Sequence, residues 1–183
     1  MSDATGDEGP DEFRVYDPGS DHAFPDGRVN EVLDLVEADE EIQAYLEAQN
    51  VNPVTRKGYN DHGSKHVSIV RNRALCLYDL LKRGNVAFNG AADQDLEEAD
   101  EAVIVALAAT LHDIGHVVHR DRHTYYSIPL AADILDRILP TVYDTAAAVR
   151  MKGEILHAIL CHHSAETPLT LEAGVVRIAD ALD

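Results

Sequence analysis

"LHDIGH", Leu111–His116, closes the strongly apolar run "AVIVALAATL" that extends from Ala102 to Leu111. Such a run ordinarily continues into more core or ends at a polar cap. Here it ends in a His, an Asp, a Gly and another His. An isolated His–Asp pair at a helix end is most often a cap, with the Asp holding a neighbouring imidazolium. It reads as a site only if further ligands stand at helical positions elsewhere in the chain.

Working outward, the flanking segments are helical. After "HDIGHVVHRDRH" comes a helix ending near Leu139, where Pro140 stops it; the next runs from about Val142 to His162. A short break, "SAETP", leads into the last helix, "LTLEAGVVRIADALD". Upstream, one helix is expected from about Leu96 to His112 and another from about Asp61 to Arg83. Asn60 or Asp61 is the expected cap of the latter, and Gly84 its stop. "NVNPVTRKGYN" and "GNVAFNGAADQD" read as loops, and 28–50 as one broken helix or two short ones. No alternating strand or two-residue hairpin turn stands out. The expected fold is all-α, a helical bundle over 28–183 preceded by a flexible acidic tail over 1–27. The last helix reaches Asp183 without a C-cap signal, which leaves a fragment of a longer protein as one reading.

Composition narrows the class. The chain has 183 residues, is 45% hydrophobic and contains no Trp, so aliphatic side chains must build one core. No apolar segment approaches the roughly 18–20 residues of a membrane span. The start, "MSDATGDEGPDEF", lacks the apolar stretch of a secretory signal. Cys76 and Cys161 form no CxxC pair and read as free core thiols of a reducing, cytoplasmic compartment. The formal net charge of −18 argues against duplex nucleic acid and anionic membranes as partners, and suits a halophilic setting in which salt screens self-repulsion. A homo-oligomer is left open.

Nine of the ten histidines fall between His62 and His163. They form sets: His62 and His66; His112, His116, His119 and His123; His157, His162 and His163. His62 and His66 are i and i+4, on one helix face. His112–Asp113 and His162–His163 are adjacent pairs, each at the end of an apolar helix, and Asp180 sits in the final amphipathic one. Imidazole and carboxylate donors suit a divalent transition metal, and several helices ending in them could surround one in a bundle core. His119 and His157 have no partner at suggestive spacing and read as ordinary packed or surface residues.

The order H…HD…H…HH…D resembles the HD-domain superfamily of metal-dependent phosphohydrolases. The stretches that carry it are "DHGSKHVSIV", "LHDIGH", "HTYYSIPLAADIL", "AILCHHSAE" and "VVRIADALD", spanning about residue 60 to the end. The resemblance implies a buried metal site with His66, His112, Asp113 and Asp180 on a first ion. Asp113 would bridge to a second held by His123 and His162. Mn, Fe, Co, Ni or Zn would serve, with Mg also allowed. The histidine-rich pattern resembles the binuclear branches, but His116 stands where a lysine would follow "HD-x-G", and no Gly-Tyr-Pro signature follows the His pair.

The implied activity is hydrolysis of a phosphate ester, of a nucleotide by preference, by a metal-activated water. Asp113, His116 and Lys65 are the expected catalytic groups; His163, Arg71, Arg73 and His62 are expected on the substrate. Two rivals share the ligand set: a di-iron oxygenase on the same fold, and a non-catalytic module that senses a nucleotide or metal.

Overall fold

The computed structural model describes residues 24–56, 63–163 and 165–183. Among these residues there are eight α-helices and no strand: α1 (Gly27–Ala38), α2 (Glu40–Ala48), α3 (Ser64–Arg83), α4 (Gly90–Asp93), α5 (Glu98–Leu111), α6 (His123–Ile138), α7 (Thr145–Cys161) and α8 (Leu171–Ala181).

α5 is the axis of the bundle. Every residue from Asp100 to Leu111 is buried, because α3, α7, α8 and α1 pack around it. A helix enclosed on all sides needs apolar side chains on all sides, which is why "AVIVALAATL" shows no polar stripe. The outer helices instead bury one face each, as α1 does with Val29, Val32, Leu33 and Val36. Truncating a fully buried side chain such as Leu107 would cost about 2–5 kcal/mol.

The two ends of α5 are held differently. At the start, Glu97 and Asp100 form a capping box, and Arg28 of α1 clamps both carboxylates at 2.7 and 2.5 Å. Tyr143 adds a hydroxyl donated to Asp100 at 2.9 Å. At the other end the helix unwinds at Asp113 (φ −104°, ψ 0°) into a 3₁₀ turn over Ile114–Val117.

Several boundaries differ from the sequence expectation. Val51–Arg56, expected as loop, is a π-helical turn. Asn52 there donates its amide to the carbonyls of His116 and Val117 at 2.6 and 3.1 Å, a tertiary tie that local sequence does not announce. α3 begins at Ser64 with Gly63 at its N-cap; the expected caps Asn60 and Asp61 lie outside the described residues. The expected loop before α5 contains α4, whose Gly90 and Ala91 amides donate to the buried Glu172 carboxylate at 3.0 and 3.2 Å. Most of the expected tail over 1–27 also lies outside the described residues. Of its last members, Phe24 is buried and Asp26 caps α1.

Candidate metal centre

Six side chains converge where α5 ends. His66 comes from the first turn of α3, His112 and Asp113 from the end of α5, and His123 from the first residue of α6. His162 caps the end of α7, and Asp180 sits near the end of α8. The structure therefore brings together all six residues that the sequence offers as metal ligands.

Asp113 divides them into two groups. Its Oδ2 lies 3.6 Å from His66 Nε2 and 3.5 Å from His112 Nε2. Asp180 Oδ1 lies 3.4 and 3.6 Å from the same two nitrogens, which are 3.3 Å from each other. A tetrahedral ion with ligands at roughly 2.0–2.2 Å sets its donors about 3.3–3.6 Å apart. The distances from either carboxylate to the two nitrogens fit that edge length, and His66, His112 and Asp113 form a group whose donors all lie within 4.8 Å of one another. Asp113 Oδ1 faces the other way, 3.2 Å from His123 Nε2 and 3.6 Å from His162 Nε2, with 3.1 Å between the two nitrogens.

The tautomers are fixed from behind. Nδ1 of His112, His123 and His162 lies 2.8, 2.9 and 2.6 Å from the carbonyls of Ala109, Arg120 and Ile159. A carbonyl only accepts, so each Nδ1 carries the hydrogen and donates it. When neutral, each ring presents an Nε2 lone pair to the cluster. His66 Nδ1 is held at 2.8 Å by the Asp183 carboxylate, which Arg73 grips in turn at 2.7 Å. Carboxylate and carbonyl partners of this kind orient metal-bound histidines. Neutral Nε2 atoms facing each other at such distances repel unless a proton or a cation lies between them.

The electrostatics agree. Burial opposes the charged form of His112, yet Asp113, Asp180 and the Ala109 carbonyl raise its pKa to about 9. For Asp113, burial opposes ionisation, but His112 and the neighbouring histidines hold the carboxyl well below its usual range. Asp180 is lowered in the same way against its burial, by His112 and His66. His162 moves down, chiefly through burial, against the pull of Asp113. The pocket thus keeps its carboxylates ionised and favours positive charge beside them.

Gly115 explains the glycine of "LHDIGH". A Cβ there would lie 2.1 Å from the His123 carbonyl oxygen and 2.5 Å from the Ser127 nitrogen. Only glycine lets the start of α6 close onto the turn. Ser127 locks the approach: it accepts from Gly115 N–H at 2.9 Å and donates to the His112 carbonyl at 2.7 Å. This serine and Asp183 are positioning residues that sequence reasoning missed. Their only signals are spacings, i+4 from His123 and i+3 from Asp180.

The other candidates are placed less uniformly. His116 is fully buried, with its ring stacked on His123 at 4.1 Å and 11°. Its Nε2 lies 3.5 Å from Asp113 Oδ1, but it falls outside the group of Asp113, His123 and His162 whose donors all lie within 4.8 Å of one another. It also has no exposed surface through which to meet a substrate. Arg71 is buried beside Glu37 at 3.5 Å, about 140° around α3 from His66, and the structure does not bring it to the cluster. Arg73 shares the His66 face, but it pairs with Asp183 at 2.7 Å. Lys65 is exposed on the first turn of α3, and His163 is exposed beside His123. His62 lies outside the described residues. His157 accepts from Leu169 N–H at 3.0 Å and His119 from Asp121 N–H at 3.0 Å, ordinary structural roles for both.

A family model described as HD domain matches residues 86–183, which takes in His112, Asp113, His123, His162 and Asp180. His66 lies outside that match, and geometry alone joins it to the others. The chain is also 38% identical over 152 residues to the uncharacterized protein MJ1020 of Methanocaldococcus jannaschii. That match covers 83% of this chain and 59% of the relative, so the chain spans about three-fifths of its length. No solved structure matches the chain.

Proposed function

The chain belongs to the HD-domain superfamily, and on that premise we propose that it is a metal-dependent phosphohydrolase acting on a phosphate ester of a small molecule, a nucleotide by preference. The observation that carries this reading is the Asp113 carboxylate, with one oxygen facing His66 and His112 and the other facing His123 and His162. His66, His112, Asp113 and Asp180 would hold one ion; Asp113, His123 and His162 would hold a second. Divalent ions there would polarise phosphoryl oxygens and lower the pKa of a water.

The chain's own residues supply the setting. Carbonyls of Ala109, Arg120 and Ile159 keep the donor nitrogens aimed, so little reorganisation is needed when charge develops. His163, exposed beside His123, would neutralise developing charge or give a proton to a leaving oxygen. Lys65 is the nearest lysine in sequence to the ligand set and would meet substrate from solvent. The acidic composition favours a concentrated-salt cytosol without excluding a phosphate substrate, because a bound cation dominates the field inside the pocket.

Phosphatase and phosphodiesterase assays on nucleotides, each with Mn, Co, Ni, Zn, Fe or Mg, test the reading. Release of phosphate or a nucleotide product that chelation abolishes is the expected result. Oxygen uptake by the iron-loaded protein without ester cleavage would replace it with an oxygenase. Inactivity in both assays would leave a sensing module.

A further inference from the structure

The connection from α7 to α8 runs beside the metal centre and is held at Glu166. Its carboxylate Oε1 accepts from the Tyr125 hydroxyl of α6 at 2.5 Å, and its backbone carbonyl accepts from Arg177 Nη1 of α8 at 3.0 Å. We propose that Tyr125 and Glu166 form a staple that holds His163 over the second half of the centre, which makes both of them positioning residues for proton transfer to the leaving oxygen. The role given to His163 rests on the phosphohydrolase reading; the staple itself does not.

The placement of His163 comes first. Its ring centroid lies 5.8 Å from that of His123 and 6.3 Å from that of His162, edge-on to both. Those two rings are fixed by backbone carbonyls. Among the described residues no hydrogen bond fixes the exposed His163 ring. Its place is therefore set by the chain on either side: by the buried His162 before it and by Glu166 three residues after it.

The surroundings point the same way. A cavity of about 240 Å³ opens here, walled on one side by the stretch from Arg120 to Tyr125 and on the other by His163 and Ala165. The bond from Tyr125 to Glu166 joins the two walls. Tyr125 stands two residues after His123 on α6, and Arg177 three residues before Asp180 on α8. Glu166 thus ties the connection to two helices that carry ligand residues.

The chemistry of the contact fits a staple. A hydroxyl donated to a carboxylate at this distance is a charge-assisted bond, stronger than a neutral one. Tyr125 is 48% exposed, so packing alone would accept a phenylalanine, and only the hydroxyl reaches Glu166. In the step it serves, the water oxygen bonds to phosphorus and the bond from phosphorus to the leaving oxygen breaks, its electron pair staying on that oxygen. The His163 imidazolium gives that oxygen a proton. The water loses one proton to solvent, and solvent returns one to His163.

The test compares Tyr125→Phe, Glu166→Ala and the conservative Glu166→Gln with the unmodified protein. In the metal-free protein, amide hydrogen exchange over 163–170 should rise about tenfold in Tyr125→Phe and Glu166→Ala, while the first turn of α3 keeps its rate. Loaded with manganese, both variants should retain metal content and melting temperature. Their kcat should fall about tenfold on an alkyl phosphate ester, whose leaving oxygen needs a proton, and change far less on a p-nitrophenyl ester, whose leaving group departs without one. Glu166→Gln, which keeps an acceptor, should lie between. His163→Gln should lose about a hundredfold on the alkyl ester, and adding Tyr125→Phe to it should cost nothing more. Unchanged exchange over 163–170, or loss of metal in a single variant, would overturn the staple. Equal losses on the two esters, or additive losses in the double variant, would overturn its positioning of His163. Cleavage of neither ester by the unmodified protein would remove the enzyme and the proton transfer, and raised exchange would keep the staple. Hydrolysis with unchanged exchange would do the reverse.

Discussion

The two oxygens of Asp113 face unlike halves of the same centre. Beside Oδ2 stand His66 and His112, with the Asp180 carboxylate on the same two nitrogens, so that α3, α5 and α8 contribute two carboxylates. Around Oδ1, His123 and His162 give three donors, with the shared carboxylate the only negative one. The second half opens beside His123 into the arginine-lined cavity. Closed four-donor sites hold a metal, whereas catalytic sites keep a position open. On the proposed function, the first half would retain its ion and the second would exchange with substrate.

The largest expected effect comes from removing what the halves share. Asp113→Ala should lose both ions and all measurable ester hydrolysis, read by elemental analysis and assay. Retention of one full equivalent would show that the carboxylate does not bridge. Next, His123→Gln and His162→Gln should each remove about one equivalent and reduce activity at least a hundredfold, by rough expectation for loss of a metal-activated nucleophile, while the first ion stays. If either variant keeps two ions, the second half is only packed histidine.

A smaller effect is expected behind the first half. Asp183→Asn keeps size but weakens the acceptor that fixes His66 Nδ1–H. Metal affinity should fall by roughly 10–100-fold, the usual range for such partners, with the second ion affected less. Competition with a chelator of known affinity reads both constants. Equal weakening of the two would merge the halves into one unit.

The smallest effect is in pH. His112 is raised to about 9 from an ordinary 6.5, so its protonation favours the folded metal-free protein. That stabilisation is complete below about 6.5 and is lost as pH rises through about 9. Asp113 and Asp180, both lowered, stay ionised across this window and add no slope. The chelated protein should therefore melt at lower temperature at pH 9.5 than at pH 7. The loaded protein should not share that decline, because metal replaces the proton on His112. Parallel pH curves would mean that His112 does not exchange a proton for metal.

Much of the centre was legible in the chain because its donors sit at helix ends. His112–Asp113 and His162 follow apolar helices that periodicity locates, and Asp180 lies in an amphipathic one. What was not legible depends on how α6 closes on the turn. Gly115, Ser127 and the Arg120–Arg122 loop meet only through tertiary packing, and no local pattern marks them. The arginines expected on substrate, Arg71 and Arg73, illustrate the same limit. Helical spacing gave Arg73 the right face, but it could not show that Asp183 would occupy its guanidinium or that Arg71 would be buried beside Glu37.

The central claim is that Asp113 joins two metal positions. A crystal structure of the metal-loaded protein, with anomalous scattering recorded at the edge of the bound metal, tests it most directly. The account predicts two anomalous peaks, one against each Asp113 oxygen, with His66, His112 and Asp180 on one and His123 and His162 on the other. A single peak, with His123 and His162 turned away from Asp113, would contradict it.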